Sequence, residues 1–233
     1  MKKPFATLGF ILLTTGVMAA EPIRPFNGTD LSGWKFRDKN KNAWVVGRCV
    51  MDEKDNSKLN VRVIPPQADG GPGVREMITP KPGTDIYTEA KFGDCIVEVE
   101  VMIPKGSNSG IYLMGEYEVQ VFDSYGKQKV GPGDMGGIYI TAAPKVNACK
   151  KPGEWQKFVI EFQAPKFENG KKVANAKFVK VTLNDQVIHE NVEAPKPTTA
   201  CLTGKESPTG PLMFQGDHGP VAYRNLVVKP TSK

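Results

Sequence analysis

The strictest constraint in this chain is the alternation in CIVEVEVMI, residues 95–103. Val97, Val99 and Val101 recur at every second position, with Glu98 and Glu100 between them. Side chains of an extended strand point alternately to opposite faces, so this segment buries its valines together only as a β-strand lying on a core. As a helix it would scatter them around the circumference. The same pattern recurs in WVVGRCVM (44–51), SGIYLMGEYEVQVFD (109–123), GGIYITA (136–142) and WQKFVIEFQ (155–163). It continues in KFVKVTLN (177–184), QVIHENV (186–192), GPLMFQ (210–215) and AYRNLVVK (222–229). Gly, Pro, Asn and Asp separate these runs, and helical periodicity is scarce. Short half-buried strands between turn residues predict an all-β fold, a sandwich of two antiparallel sheets in a single domain. Asn184-Asp185 predicts a tight hairpin turn. PPQADGGPGVREMITPKPG, from Pro65 to Gly83, reads as one long loop.

The first twenty residues stand apart. Lys2 and Lys3 precede an apolar run from Phe5 to Val17, and small residues follow at Ala19 and Ala20. This predicts a cleaved secretory signal over 1–20 and export to the periplasm or beyond, since the apolar run is short for a membrane span. About 210 residues remain, enough for one large all-β domain over 26–229. The formal net charge of +6 includes the two signal lysines. The other lysines are dispersed among Asp, Glu and Asn, with no basic stripe interleaved with aromatics, so nucleic acid is excluded as an expected partner. No membrane contact is expected after signal cleavage. Cys49, Cys95, Cys149 and Cys201 show no CxxC spacing. In an exported chain they permit two disulfides with three connectivities, Cys149 and Cys201 being the first pair to consider because both lie in polar loop sequence. Cys95 is in phase with the valines and reads equally as a small core residue.

GEYEVQVFDSYG, residues 115–126, carries the chemistry. As a strand it sets Tyr117, Val119 and Val121 on one face and Glu116, Glu118 and Gln120 on the other. A row of two carboxyls and a carboxamide on a wet sheet face suits a polyhydroxylated ligand, and Glu116 and Glu118 are spaced broadly like paired glycosidase carboxyls. His218 lies in GDHG, where glycines allow close backbone approach to a ligand, and imidazole titrates in the range useful for acid–base work. His189 reads as a surface strand residue. Arg224 and Gln215 are further candidates for holding sugar hydroxyls, Asn108 in GSNSG offers a carboxamide or simple turn chemistry, and Tyr139 offers a stacking surface. Trp34 and Trp155 read as packing residues.

Seven stretches occur in order: FNGTDLSGW, DIYTEAKFGD, IPKGSNSGIYL, YEVQVFDS, AAPKVNACKKPGEW, ENGKKVANAKFVKVTLN and FQGDHGPVAYRNLVV. Together they resemble the 3-keto-disaccharide hydrolase family, formerly a domain of unknown function, from about Phe26 to Val228. The resemblance implies a concanavalin-A-like jelly roll and action on 3-keto-glycosides. A ketone at C3 acidifies the hydrogen at C2, so the C1 substituent can leave by elimination and water can then add. The expected catalytic pair is Glu118 and His218, either of which could be the base, with Gln120, Gln215, Asn108 and Tyr139 binding substrate. Arg224, or a divalent metal held by Glu118, Asp123 or His218, would stabilise the enolate. The sequence itself requires no cofactor. A non-catalytic, lectin-like carbohydrate-binding module and a structural domain of the cell envelope are the alternatives.

Overall fold

The alternating strands meet across the gap between two sheets in the computed structural model, which describes residues 21–62, 64 and 75–231. The smaller sheet has the order β1 (Trp34–Phe36), β5 (Ile86–Phe92), β14 (Gly210–Phe214), β7 (Asn108–Leu113), β8 (Tyr117–Phe122). The larger runs β13 (Gln186–Ala194), β12 (Ala176–Leu183), β9 (Gln156–Gln163), β6 (Cys95–Met102), β15 (Val221–Pro230), β4 (Glu76–Thr79), β2 (Val45–Met51), β3 (Leu59–Arg62). A separate ribbon joins β10 (Lys166–Glu168) to β11 (Lys171–Ala174). All pairings between these strands are antiparallel. The chain is therefore a jelly-roll β-sandwich, and helix is confined to one single-turn segment, Lys39–Lys41, among the described residues.

The valines of β6 face inward and pair with inward residues of β9, Val97 opposite Ile160 and Val99 opposite Phe158. Contact between the sheets is aromatic. Phe214 of the smaller sheet stacks on Tyr223 of the larger, with ring centroids 3.9 Å apart and planes 4° apart, and it also stacks with Trp34, the centroids 5.5 Å apart. The buried Tyr223 hydroxyl is satisfied by Ser109 Oγ at 2.7 Å. Phe214→Ala would remove the ring between these two partners and leave a cavity. Urea unfolding is expected to show a loss of about 3–5 kcal/mol; a loss under about 1 kcal/mol would mean that the stack contributes little to the core.

Several expectations are corrected. SGIYLMGEYEVQVFD is two strands, because Met114, Gly115 and Glu116 form a three-residue turn between β7 and β8, with φ of 57° at Met114 and 74° at Gly115. Asn184-Asp185 makes a two-residue hairpin turn between β12 and β13, as expected. GGIYITA is no strand: Ile138 bridges only Val119 and Ala142, so this segment folds on itself along the free edge of β8. The segment 65–83 is not loop throughout. Glu76–Thr79 forms β4, whose four residues are all buried and therefore lack alternation. Residues 65–74, like the expected signal at 1–20, lie outside the described residues. β1, β3, β5 and the β10–β11 ribbon are additional strands. None of the four cysteines is in a disulfide. Cys95 is a buried core residue, Cys149 lies against Gln156, and Cys201 sits near Glu116. His189 is buried, with Nε2 2.8 Å from the Gly136 carbonyl, because the 131–142 loop packs over β13.

Candidate functional site

Register across the smaller sheet builds the site on its outer face. One row of paired positions crosses all five strands: Lys35, Tyr87, Met213, Tyr112 and Glu118. The next outward row contains Arg37, Asp85, Gln215, Gly110 and Gln120, linked by Arg37 N–H to the Asp85 carbonyl and Gln215 N–H to the Gly110 carbonyl. Asn108 lies one step further along β7, where its Oδ1 accepts from Gln120 Nε2 at 2.8 Å. Residues of adjacent rows on one face stand close enough for side chains to meet. Gly110 makes the hollow at the centre. A Cβ there would lie 2.4 Å from Glu118 Oε1 and 2.9 Å from Tyr112 Cε2, so the Glu118 carboxyl rests over the bare backbone.

Glu118 is 2% exposed although it faces away from the core. Residues 198–202 contribute to that cover. Thr198 Oγ1 accepts the Glu118 amide at 3.1 Å, and the Ala200 carbonyl accepts from Arg37 Nη1 at 3.0 Å. Since β8 and β1 are opposite edges of the sheet, a turn tied to both crosses the face. Burial pushes the Glu118 carboxyl up to about 8; the Tyr112 hydroxyl beside it opposes the shift, while the negative charges of Asp85 and Asp217 reinforce it. Asp85 is also raised by burial, against the Gly216 amide and Arg37, which lower it. Its Oδ1 accepts Gly216 N–H at 3.1 Å, and its Oδ2 meets Arg37 Nη1 at 3.2 Å. Glu118 is thus a carboxylic acid, not a carboxylate, at neutral pH.

The loop after β14 closes the site. Gly216 packs so tightly against the Thr84 carbonyl and the Trp44 indole that a Cβ would lie 2.3 Å and 2.6 Å from them. The next residue, Asp217, comes near enough for its charge to act on Glu118, Asp85 and Tyr112. His218 is exposed, and its Nδ1–H donates to Asp217 Oδ1. Gln215 is only 7% exposed, and its Oε1 has no hydrogen-bond partner among the described residues. A buried acceptor without a donor is costly and marks a place where a ligand donor fits. Glu118, Gln120, Gln215 and Asn108 therefore gather at one end of one face, with Asp217 near enough to act on Glu118 and His218 bound to Asp217.

Other expected residues do not join them. Arg224 lies on β15 in the larger sheet: Tyr223 takes the inward position, so Arg224 points out on the opposite side of the sandwich. There it binds Glu100 at 2.7 Å and stacks on Trp155 at 3.9 Å. Glu116 falls in the β7–β8 turn, off the strand alternation, and its carboxylate accepts from the Thr203 and Gly204 amides at 3.0 and 2.9 Å. It holds a loop and does not pair with Glu118. Asp123 accepts the Gly106 amide at 2.9 Å and the Tyr125 amide at 3.3 Å. No group of three or more His, Cys, Asp or Glu side chains suited to a metal ion occurs among the described residues, so Glu118, Asp123 and His218 do not converge as ligands. Tyr139 donates its amide to the Glu118 carbonyl at 3.1 Å and sits partly exposed beside the site. Asp85 and Tyr112 were not expected. Their one sequence signal is the polar–apolar alternation of DIY and GIYL, which assigns a face and no neighbour.

A family profile described as a 3-keto-alpha-glucoside-1,2-lyase-like domain matches residues 21–229. Among solved structures, two proteins of Parabacteroides distasonis, both provisionally described as glycosyl hydrolases, are similar over most of their length. One is 26% identical with a TM-score of 0.60, the alignment covering 90% of this chain and 83% of that one. The other is 18% identical with a TM-score of 0.58, covering 91% and 94%, and shows the fold alone. No curated protein matches.

Proposed function

Because this chain belongs to the 3-keto-alpha-glucoside-1,2-lyase-like family, a carbohydrate-active one, we propose that it is an exported enzyme cleaving 3-keto-glycosides by elimination followed by hydration. The observation that carries this reading is a buried carboxyl held in its acid form, Glu118, within reach of the charge of Asp217, the carboxylate that pairs with the His218 imidazole. In the proposed reaction His218 Nε2 takes the proton from C2 of the sugar, with Asp217 holding the tautomer. The C2–H electron pair enters the C3 ketone as an enolate, then returns to form the C1–C2 double bond as the C1–O bond breaks. Glu118 gives its proton to the departing oxygen. Water adds at C1, and a proton returns to C2. Gln215 Oε1 accepts one sugar hydroxyl, and the Asn108–Gln120 carboxamide pair binds another.

The test is incubation of the purified protein with a 3-keto-glucoside and with the corresponding ordinary glucoside. Only the keto substrate is expected to be consumed, and His218→Ala is expected to slow it by about 10²–10⁴-fold, the usual contribution of a positioned acid or base. Equal cleavage of the ordinary glucoside would overturn the keto-directed mechanism. Sugar binding without turnover of either substrate would identify a binding module instead.

A further inference from the structure

Beyond the crossing at 198–202, the same outer face carries a groove of about 510 Å³ between β1 and β5 on one side and residues 202–209 on the other. That volume is typical of small-ligand sites. Its walls bring together Lys35, Arg37, Lys91 and Lys205 against only two carboxylates, Glu89 and Glu116. Both carboxylates are occupied: Glu89 pairs with Lys35 at 3.4 Å, and Glu116 is bound by the Thr203 and Gly204 amides. Arg37 is occupied by Asp85 and the Ala200 carbonyl. Lys91 and Lys205 are exposed and form no ion pair among the described residues. Two uncompensated ammonium groups facing one groove concentrate positive potential there. Tyr87, half-buried in the wall, offers an aromatic body with a polar tip, a combination suited to a sugar ring.

We propose that this groove is a second saccharide site, selective for oligosaccharides bearing carboxylate or sulfate groups, with Lys91 and Lys205 receiving the anion and Tyr87 the ring. The proposal uses the carbohydrate-active character of the family but none of the chemistry assigned to Glu118 and His218. Wild type and the double variant Lys91→Ala/Lys205→Ala are titrated calorimetrically with three probes. These are a short oligogalacturonate, a sulfated oligosaccharide of similar length, and the methyl ester of the oligogalacturonate. At least one anionic probe is expected to bind wild type about tenfold or more tightly than the ester, as charge-assisted contacts allow. The double variant should lose that preference, and so should wild type at roughly 1 M salt, where charges are screened beyond about 3 Å. Binding of only one anionic probe would name the preferred anion. Turnover of a small 3-keto-glucoside should be unchanged in the double variant. Ester binding equal to the acids, or undiminished anion binding by the double variant, would overturn the site. Both outcomes are read without turnover, so failure here is distinct from failure of the keto-glycoside reading.

Discussion

Glu118→Gln is expected to yield a protein that is more stable than wild type at pH 8 and nearly inactive. An ordinary Glu carboxyl ionises near 4.5, whereas burial holds Glu118 near 8. Between those values the native state keeps a proton that the unfolded chain has released. The native state therefore binds more protons, and its stability falls as pH rises. No penalty exists below about pH 4.5, and it is complete above about pH 8. At 1.36 kcal/mol per pH unit, the destabilisation reaches on the order of 3–5 kcal/mol. Glutamine keeps the shape without the ionisation, so urea midpoints of wild type and variant should coincide at low pH and separate steadily toward pH 8. Glu76, also raised by burial, slopes both curves alike and cancels in the difference. Parallel curves across that range would show that Glu118 ionises normally. Activity should move the other way. Wild-type turnover should fall as pH rises through about 8 and the acid is lost, while the variant should be about 10²–10⁴-fold slower than wild type below that pH, the gap narrowing above it. A site that destabilises its own fold to keep a proton is the trade between stability and activity expected of a catalytic acid.

Gly216→Ala is expected to disable the site with the sandwich intact. The new methyl would meet the Thr84 carbonyl at 2.3 Å and the Trp44 ring nitrogen at 2.6 Å, and these two atoms are themselves hydrogen-bonded at 2.6 Å. Neither is the flexible end of a side chain, so the loop must move outward. It takes with it the Gly216 amide that caps Asp85 and the Asp217–His218 pair. Misplacement by about 1 Å is worth about 10²-fold in rate, and the overpacking should cost about 1–3 kcal/mol. Gly131→Ala is the control, because its Cβ would meet only Asp134 Oδ2 at 3.9 Å. Full activity in Gly216→Ala would show that the 215–219 loop takes no part in the reaction.

The strands that the pattern picked out most cleanly, β6, β9 and β12, are those with one face on the core and one in water. β4 escaped because both of its faces are covered, which erases alternation. The shared face of Glu118 and Gln120 was legible from their spacing within one strand. The membership of Asp85 was not: it reaches Glu118 through β14 and β7, and their adjacency to β5 depends on strand order. Arg224 shows the limit of parity. Opposition to Tyr223 established that it points outward, yet every sandwich has two outward sides, and Arg224 took the one without the site. Glu116 shows the limit of spacing, since the three-residue β7–β8 turn took it out of the row that its position implied.

From its sequence alone the chain was committed to two antiparallel sheets, an inward set of valines and aromatics, and a polar strand face holding Glu118 and Gln120. Tertiary structure decided which sheet each outward residue joined, that Asp85, Tyr112 and Asp217 surround Glu118, and that Glu118 keeps its proton. Alternation is a local property of an extended backbone and can be read residue by residue. Strand order, register and desolvation arise from pairing between segments as far apart as Asp85 and Gly216, and no local pattern encodes them.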